Sequence, residues 1–168
     1  MITDRDTDGL GYALGMKAEN LFEKVMTHRG WAVTPSTPQQ NKVEHWDFRI
    51  IKDSWDLKVD VKAQKRINRR DEAVDNKWLW IELVNVVGKP GWVHSTKADF
   101  LAFERGDVFL FVKPSDLQDV LAQIVIPMPV ETAGEAHYCL YQRDNRKDQL
   151  TLIRYADLPV TKAIPIYE

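Results

Sequence analysis

Polar and apolar residues alternate along Trp46-Asp47-Phe48-Arg49-Ile50 and again along Leu57-Lys58-Val59-Asp60-Val61-Lys62, the period-two signature of strands with one apolar face. Trp46, Phe48 and Ile50 share a face of the first strand, and Leu57, Val59 and Val61 supply a matching face on the second. The opposite face carries Asp47 and Arg49 from one strand and Asp56, Lys58, Asp60 and Lys62 from the other. Between them, Lys52-Asp53-Ser54-Trp55 predicts a tight turn with Asp53 and Ser54 at its tip. Such a turn sets Asp47 directly opposite Asp60, with Cβ atoms about 5 Å apart. A longer turn shifts the register by two and sets Asp47 opposite Lys58 or Lys62. Both registers keep the shared polar face.

Upstream, Leu14, Ala18, Leu21, Phe22, Val25 and Met26 recur at helical spacing, predicting an amphipathic helix from about Leu14 to Arg29 that Gly30 ends. Trp31 to Thr34 reads as a short strand and Pro35 to Lys42 as a polar loop. Downstream, Trp78 to Val87 is nearly continuous in apolar and aromatic residues, the pattern of a central strand buried on both faces. Gly88-Lys89-Pro90-Gly91 is a turn, after which Trp92 to His94 resumes as a strand. Thr96 and Asp99 form a capping-box pattern that predicts a short helix through Phe103. Val108 to Val112 is a buried strand, Pro114 or Ser115 opens a helix to about Gln123, and Tyr138–Gln142 with Leu150–Tyr155 forms a hairpin. This order of elements predicts a mixed α/β layer fold.

The 168 residues suit one domain with a proper core, spanning 1–168, and are too few for two ordinary ones. No stretch approaches the roughly 18 apolar residues of a membrane span. The N-terminus, with Asp4, Arg5, Asp6 and Asp8, has no apolar signal-peptide core, which points to a cytoplasmic, intracellular protein with no membrane partner. The single cysteine, Cys139, agrees with a reducing compartment and excludes both an internal disulfide and a cysteine-rich zinc site. His28, His45, His94 and His137 lack ligand spacing.

A net charge of −2 argues against holding nucleic acid by overall charge. Local distribution changes the picture. Lys62, Lys65, Arg66, Arg69 and Arg70 form a basic run just past the polar hairpin face, where a phosphate backbone can be gripped. The competing reading is a solvated loop balanced by Asp71, Glu72 and Asp75. Two carboxylates facing one another at Asp47 and Asp60 repel unless a cation sits between them. Mg²⁺, which takes a few carboxylate oxygens plus water, satisfies that arrangement.

Glu19 in the first helix, Asp47 on one strand, Asp60-Val61-Lys62 on the next and Gln64 two residues on together resemble the PD-(D/E)XK phosphodiesterase superfamily, the restriction-endonuclease-like fold. Trp80-Ile81-Glu82, Gly88-Lys89-Pro90-Gly91-Trp92 and Lys97-Ala98-Asp99-Phe100 are similar to small, often phage-encoded members. The Asp-x-Lys tripeptide occurs three times here, at Asp56/Lys58, Asp60/Lys62 and Asp75/Lys77, so the hairpin and the acidic helix carry the likeness. The acidic residue before Lys62 is Asp60 where many members use Glu, and Trp46 stands at the position of the family's proline.

The resemblance implies a central mixed sheet flanked by helices and a Mg²⁺- or Mn²⁺-dependent DNA nuclease that uses metal-activated water. Asp47, Asp60, the main-chain carbonyl of Val61 and Glu19 would hold metal. Lys62 would stand beside the attacking water, and Gln64 would contact the phosphate or the first helix. Lys65, Arg66, Arg69 and Arg70 would grip DNA, and a homodimer would match the two strands of a duplex. Two other classes fit the same residues. One is a noncatalytic nuclease-fold protein acting in nucleic-acid binding or assembly, and the other is a small-molecule phosphoesterase with an enclosed pocket. Glu82, a lone acid in an apolar strand, is expected to serve structure by pairing or lying at the sheet's polar edge. Trp78, Trp80 and Trp92 are expected in the core, with base stacking as the alternative.

Overall fold

Ala18, Phe22, Val25 and Met26 give the first helix, α1 (Leu10–His28), a buried stripe that packs onto a sheet. The computed structural model describes residues 9–167, so Asp4, Arg5, Asp6 and Asp8 lie outside the described residues. α1 starts four residues before the predicted Leu14, behind Gly9 in the left-handed region, and Gly30 at φ 85° follows its end as expected. The chain continues through β1 (Ala32–Pro35), α2 (Pro38–Glu44), β2 (Phe48–Lys52), β3 (Trp55–Lys62), β4 (Trp78–Val84), α3 (Trp92–Ser95), β5 (Phe100–Arg105) and β6 (Val108–Val112). It then forms α4 (Pro114–Ile124), β7 (Pro129–Val130), β8 (Leu140–Tyr141), β9 (Gln149–Arg154) and β10 (Val160–Pro165).

These strands make two mixed sheets, one in the order β1-β2-β3-β5-β6-β10 and one in the order β4-β9-β8-β7. β3 and β5 run parallel and β2 and β3 antiparallel. α1 covers one face of the first sheet through Phe22, Phe48, Ile50, Val59, Val61, Ala102 and Phe111. The other face meets the second sheet and α4 through Leu101, Phe103, Val112, Ile81, Ile153 and Leu117. The fold is mixed α/β, as the order of elements predicts. Among the described residues, no helix is long and apolar enough to cross a membrane.

Four expectations are corrected. Pro35 to Lys42 is not all loop: α2 begins within it at Pro38 and runs on to Glu44, its start a reciprocal capping box between Thr37 and Gln40. Trp92 to His94 is helical and the stretch to Phe103 is a strand, the reverse of the prediction. Thr96 and Asp99 do not cap a helix: the Thr96 hydroxyl accepts the Ala98 N–H and Asp99 accepts the Lys58 N–H, while Leu101, Ala102 and Phe103 enter the core as β5. β4 is an edge strand paired only by β9, and from Trp78 to Ile81 its residues alternate half-buried and buried because only the Leu79 and Ile81 face packs on the core. β10, mostly exposed and without a period-two alternation, closes the far edge of the first sheet against β6.

Candidate metal centre

The predicted tight turn forms. Lys52 pairs with Trp55, Asp53 takes φ 53°, and the β2–β3 register runs back from there to Phe48 opposite Val59. The Asp47 N–H donates to the Val59 carbonyl at 2.9 Å, extending the ladder by one residue and setting Asp47 across from Asp60. The Asp47 carboxylate is clamped at both oxygens. Oδ2 accepts the Val61 N–H at 2.7 Å, and Oδ1 accepts the Asn41 side-chain amide of α2 at 2.9 Å.

Asp60 is only 4% exposed. Its Oδ1 meets Lys62 Nζ at 3.0 Å, while Oδ2 is buried without a hydrogen-bond partner. Burial pushes the Asp60 carboxyl up to about 7, the Lys62 ammonium pulls it down, and Asp47, within hydrogen-bonding reach, pushes it up again. Glu19 on α1 is likewise raised to about 7, by burial first and by the Asp47 charge second, with Lys62 opposing. Asp47, Asp60, Lys62 and Glu19 thus share one electrostatic neighbourhood. Lys62 Nζ also lies 4.5 Å from the centroid of the Trp92 ring.

The polar hairpin face divides along its length. Near the turn, Arg49 and Asp56 form an exposed ion pair at 2.6 Å, and Lys58 reaches Glu44 at 3.6 Å. Farther along, Asp60 and Lys62 stand opposite Leu101 and Phe103 in the parallel register, facing the second sheet. Trp92 belongs to that interior, in ring contact with Phe103. Its helix is set by Gly91, whose N–H donates to the Leu83 carbonyl at 2.9 Å and which passes so close to β4 that a Cβ would stand 2.1 Å from the Glu82 carbonyl oxygen.

Other sequence candidates fall elsewhere. Gln64 is buried with its side chain engaged by backbone: Nε2 donates to the Asp75 carbonyl at 3.1 Å and Oε1 accepts the Gly106 N–H at 2.9 Å. It ties the loop 63–77 to the β5–β6 turn, each of its two polar atoms holding a backbone group. In the same loop Lys65, Arg69 and Arg70 are exposed and Arg66 half-buried, its guanidinium donating to the Arg69 carbonyl at 2.6 Å. Glu82 shares the outer face of β4 with Trp78 and Trp80, away from Asp60, and these two tryptophans are half-buried rather than in the core. Reading Pro35 to Lys42 as loop leaves Asn41 out of the site, although Thr37 and Gln40 carry the capping-box spacing that marks the start of α2.

Among the described residues, no group of three or more His, Cys, Asp or Glu side chains is drawn together as a ready metal cluster. A hard cation that retains several waters needs only one or two carboxylates, however. The Asp47–Asp60 pair, with a buried oxygen lacking a partner, has the chemistry for that. No family model, curated protein or solved structure matches the chain.

Proposed function

We propose that the chain is a divalent-metal-dependent nuclease with a restriction-endonuclease-like core formed by α1 and strands β2, β3 and β5. The observation that carries this reading is Asp60: buried, bonded through one oxygen to Lys62, met by no donor at the other, and faced by Asp47. Asp47 and Asp60 would hold Mg²⁺ or Mn²⁺, with the Val61 carbonyl as a third ligand and Glu19 reaching the site directly or through water. When bound, such an ion neutralises charge at a scissile phosphate and lowers the pKa of a coordinated water. Asn41 and the Val61 N–H hold the Asp47 carboxylate in place. Lys62, steadied between Asp60 and Trp92, supplies positive charge beside the reacting phosphate. Lys65, Arg66, Arg69 and Arg70 follow β3 directly and would meet the DNA backbone.

One observation favours a second reading. Lys62 is already paired with Asp60 and Trp92, as an ordinary structural lysine would be, which suits a nuclease-fold protein that binds nucleic acid or serves assembly without chemistry. A small-molecule phosphoesterase would need an enclosed pocket at these acids. A cavity of about 500 Å³ lined by Trp55, Phe100 and Lys113 and another of about 390 Å³ lined by Leu21, His28 and Ile166 both lie away from Asp47, Asp60 and Lys62.

Nicking of supercoiled plasmid in Mg²⁺, Mn²⁺ or EDTA tests the proposal. Metal-dependent nicking that disappears in Asp60→Asn and Lys62→Ala is the expected result. Equal inertness of all three proteins on plasmid, single-stranded and branched DNA would leave the binding reading in its place.

A further inference from the structure

The outer face of the second sheet carries two ring pairs that the metal centre does not use. Trp78 and Trp80 alternate with buried Leu79 and Ile81 along β4, so their rings turn away from the core, about 6.8 Å apart along the strand. Trp78 stacks on exposed His137 with centroids 4.0 Å apart and planes inclined by 23°. Arg154, the register partner of Trp78 on β9, sets its guanidinium 5.2 Å from the same ring. Trp80 lies 5.8 Å from the ring of Tyr141 on β8.

The charge around the Trp78 end favours a polyanion. Lys77 and Arg154 are exposed there, and the neighbouring acids are engaged by donors of the fold. Asp75 Oδ1 accepts the N–H groups of Lys77 and Trp78, and Asp157 Oδ2 accepts the Tyr138 hydroxyl and the Arg154 N–H. The same end adjoins the basic loop, since the Asp75 N–H donates to the Lys65 carbonyl at 3.0 Å. Glu82 marks the other end of the face and would repel phosphate, so the charge gradient orients a strand toward Lys65–Arg70.

We propose that this face is a stacking surface for single-stranded polynucleotide, with bases on the ring pairs and the backbone along Lys77 and Arg154; the proposal rests on the nucleic-acid reading above. A base offers its π-face to an aromatic side chain whatever its identity, and the half-exposed rings that cover Leu152 on this face can take successive bases. A duplex hides those faces, so the surface discriminates against it.

Fluorescence anisotropy of labelled oligo-dT of about 20 nucleotides, in EDTA and beside a duplex of equal length, tests this. The unsubstituted protein should bind oligo-dT in preference to duplex. Trp78→Leu and Trp80→Leu should each weaken binding about ten-fold, Trp80→Phe should retain most of it, and Arg154→Ala should flatten its salt dependence. Thermal melting checks each fold, and His137→Ala, at an exposed side chain, carries the test if Trp78→Leu unfolds. Absent oligo-dT binding, ring variants with unchanged affinity, or a preference for duplex would overturn the proposal. Plasmid nicking separates it from the nuclease reading: nicking without oligo-dT binding refutes this surface alone, whereas ring-dependent binding without cleavage in any metal supports the surface and refutes the chemistry.

Discussion

The Asp47 carboxylate accepts the Val61 N–H at 2.7 Å, so the acid just ahead of β2 is tied to the residue that follows Asp60 on β3. This bond gives Asp47 a structural duty beside its proposed role as a ligand, and substitutions can separate the two. Asp47→Asn keeps an oxygen that accepts from Val61 but loses the charge, and should melt near the unsubstituted protein while no longer binding Mn²⁺. Asp47→Ala orphans a partly buried N–H and should cost about 1–3 kcal/mol in denaturant unfolding.

Asp60 and Glu19 make the metal-free fold sensitive to pH. Both carboxyls sit near 7 when folded, above their ordinary values of 3.8 and 4.5. A carboxyl with a raised folded pKa favours the fold when protonated, so its contribution is full below about pH 4 and is lost as pH rises through 7. In EDTA the protein should therefore lose stability between pH 4 and 8. Asp60→Asn should remove much of that loss, gaining roughly 2 kcal/mol at pH 8. Melting curves across pH read this directly; a slope unchanged by Asp60→Asn would contradict it.

Trp92 should act as a positioning residue for Lys62, whose ammonium lies over its ring. Trp92→Leu should lower kcat for DNA cleavage about ten-fold with little change in KM, and Trp92→Phe should restore most of it. An equal loss in both variants would mark Trp92 as packing only.

Gly91→Ala should be severely destabilising, by about 3 kcal/mol or more, because the added Cβ would stand 2.1 Å from a backbone oxygen that cannot move aside. Thermal or denaturant unfolding measures it.

Gln64→Ala should destabilise by about 1–3 kcal/mol through the orphaned Gly106 N–H while leaving Mn²⁺ affinity unchanged. Weaker DNA binding without loss of stability would instead assign this side chain a phosphate contact.

The hairpin was legible because its information is local: side-chain parity assigns the faces, and a two-residue turn fixes the register that brings Asp47 opposite Asp60. Long-range pairing was not. The capping-box spacing of Thr96 and Asp99 points to a helix through Phe103, and it is the pairing with β3 and β6 that makes Phe100 to Arg105 a strand; β4 looks central by composition although only one strand pairs with it. β10, Val-Thr-Lys-Ala-Ile-Pro, has apolar residues without a period-two alternation, because as an edge strand it sends little more than Ile164 against the core. Gln64 shows the limit at the site itself. Parity placed it beside Lys62, but the backbone groups that claim its amide lie 11 and 42 residues away.

The most direct test of the metal centre is calorimetric titration of the intact protein with Mn²⁺ at pH 8, set beside Asp60→Asn and Asp47→Asn. The account predicts a saturable site in the unsubstituted protein that is lost in both variants while each remains folded. No binding by the unsubstituted protein, or binding that survives Asp60→Asn undiminished, would contradict it.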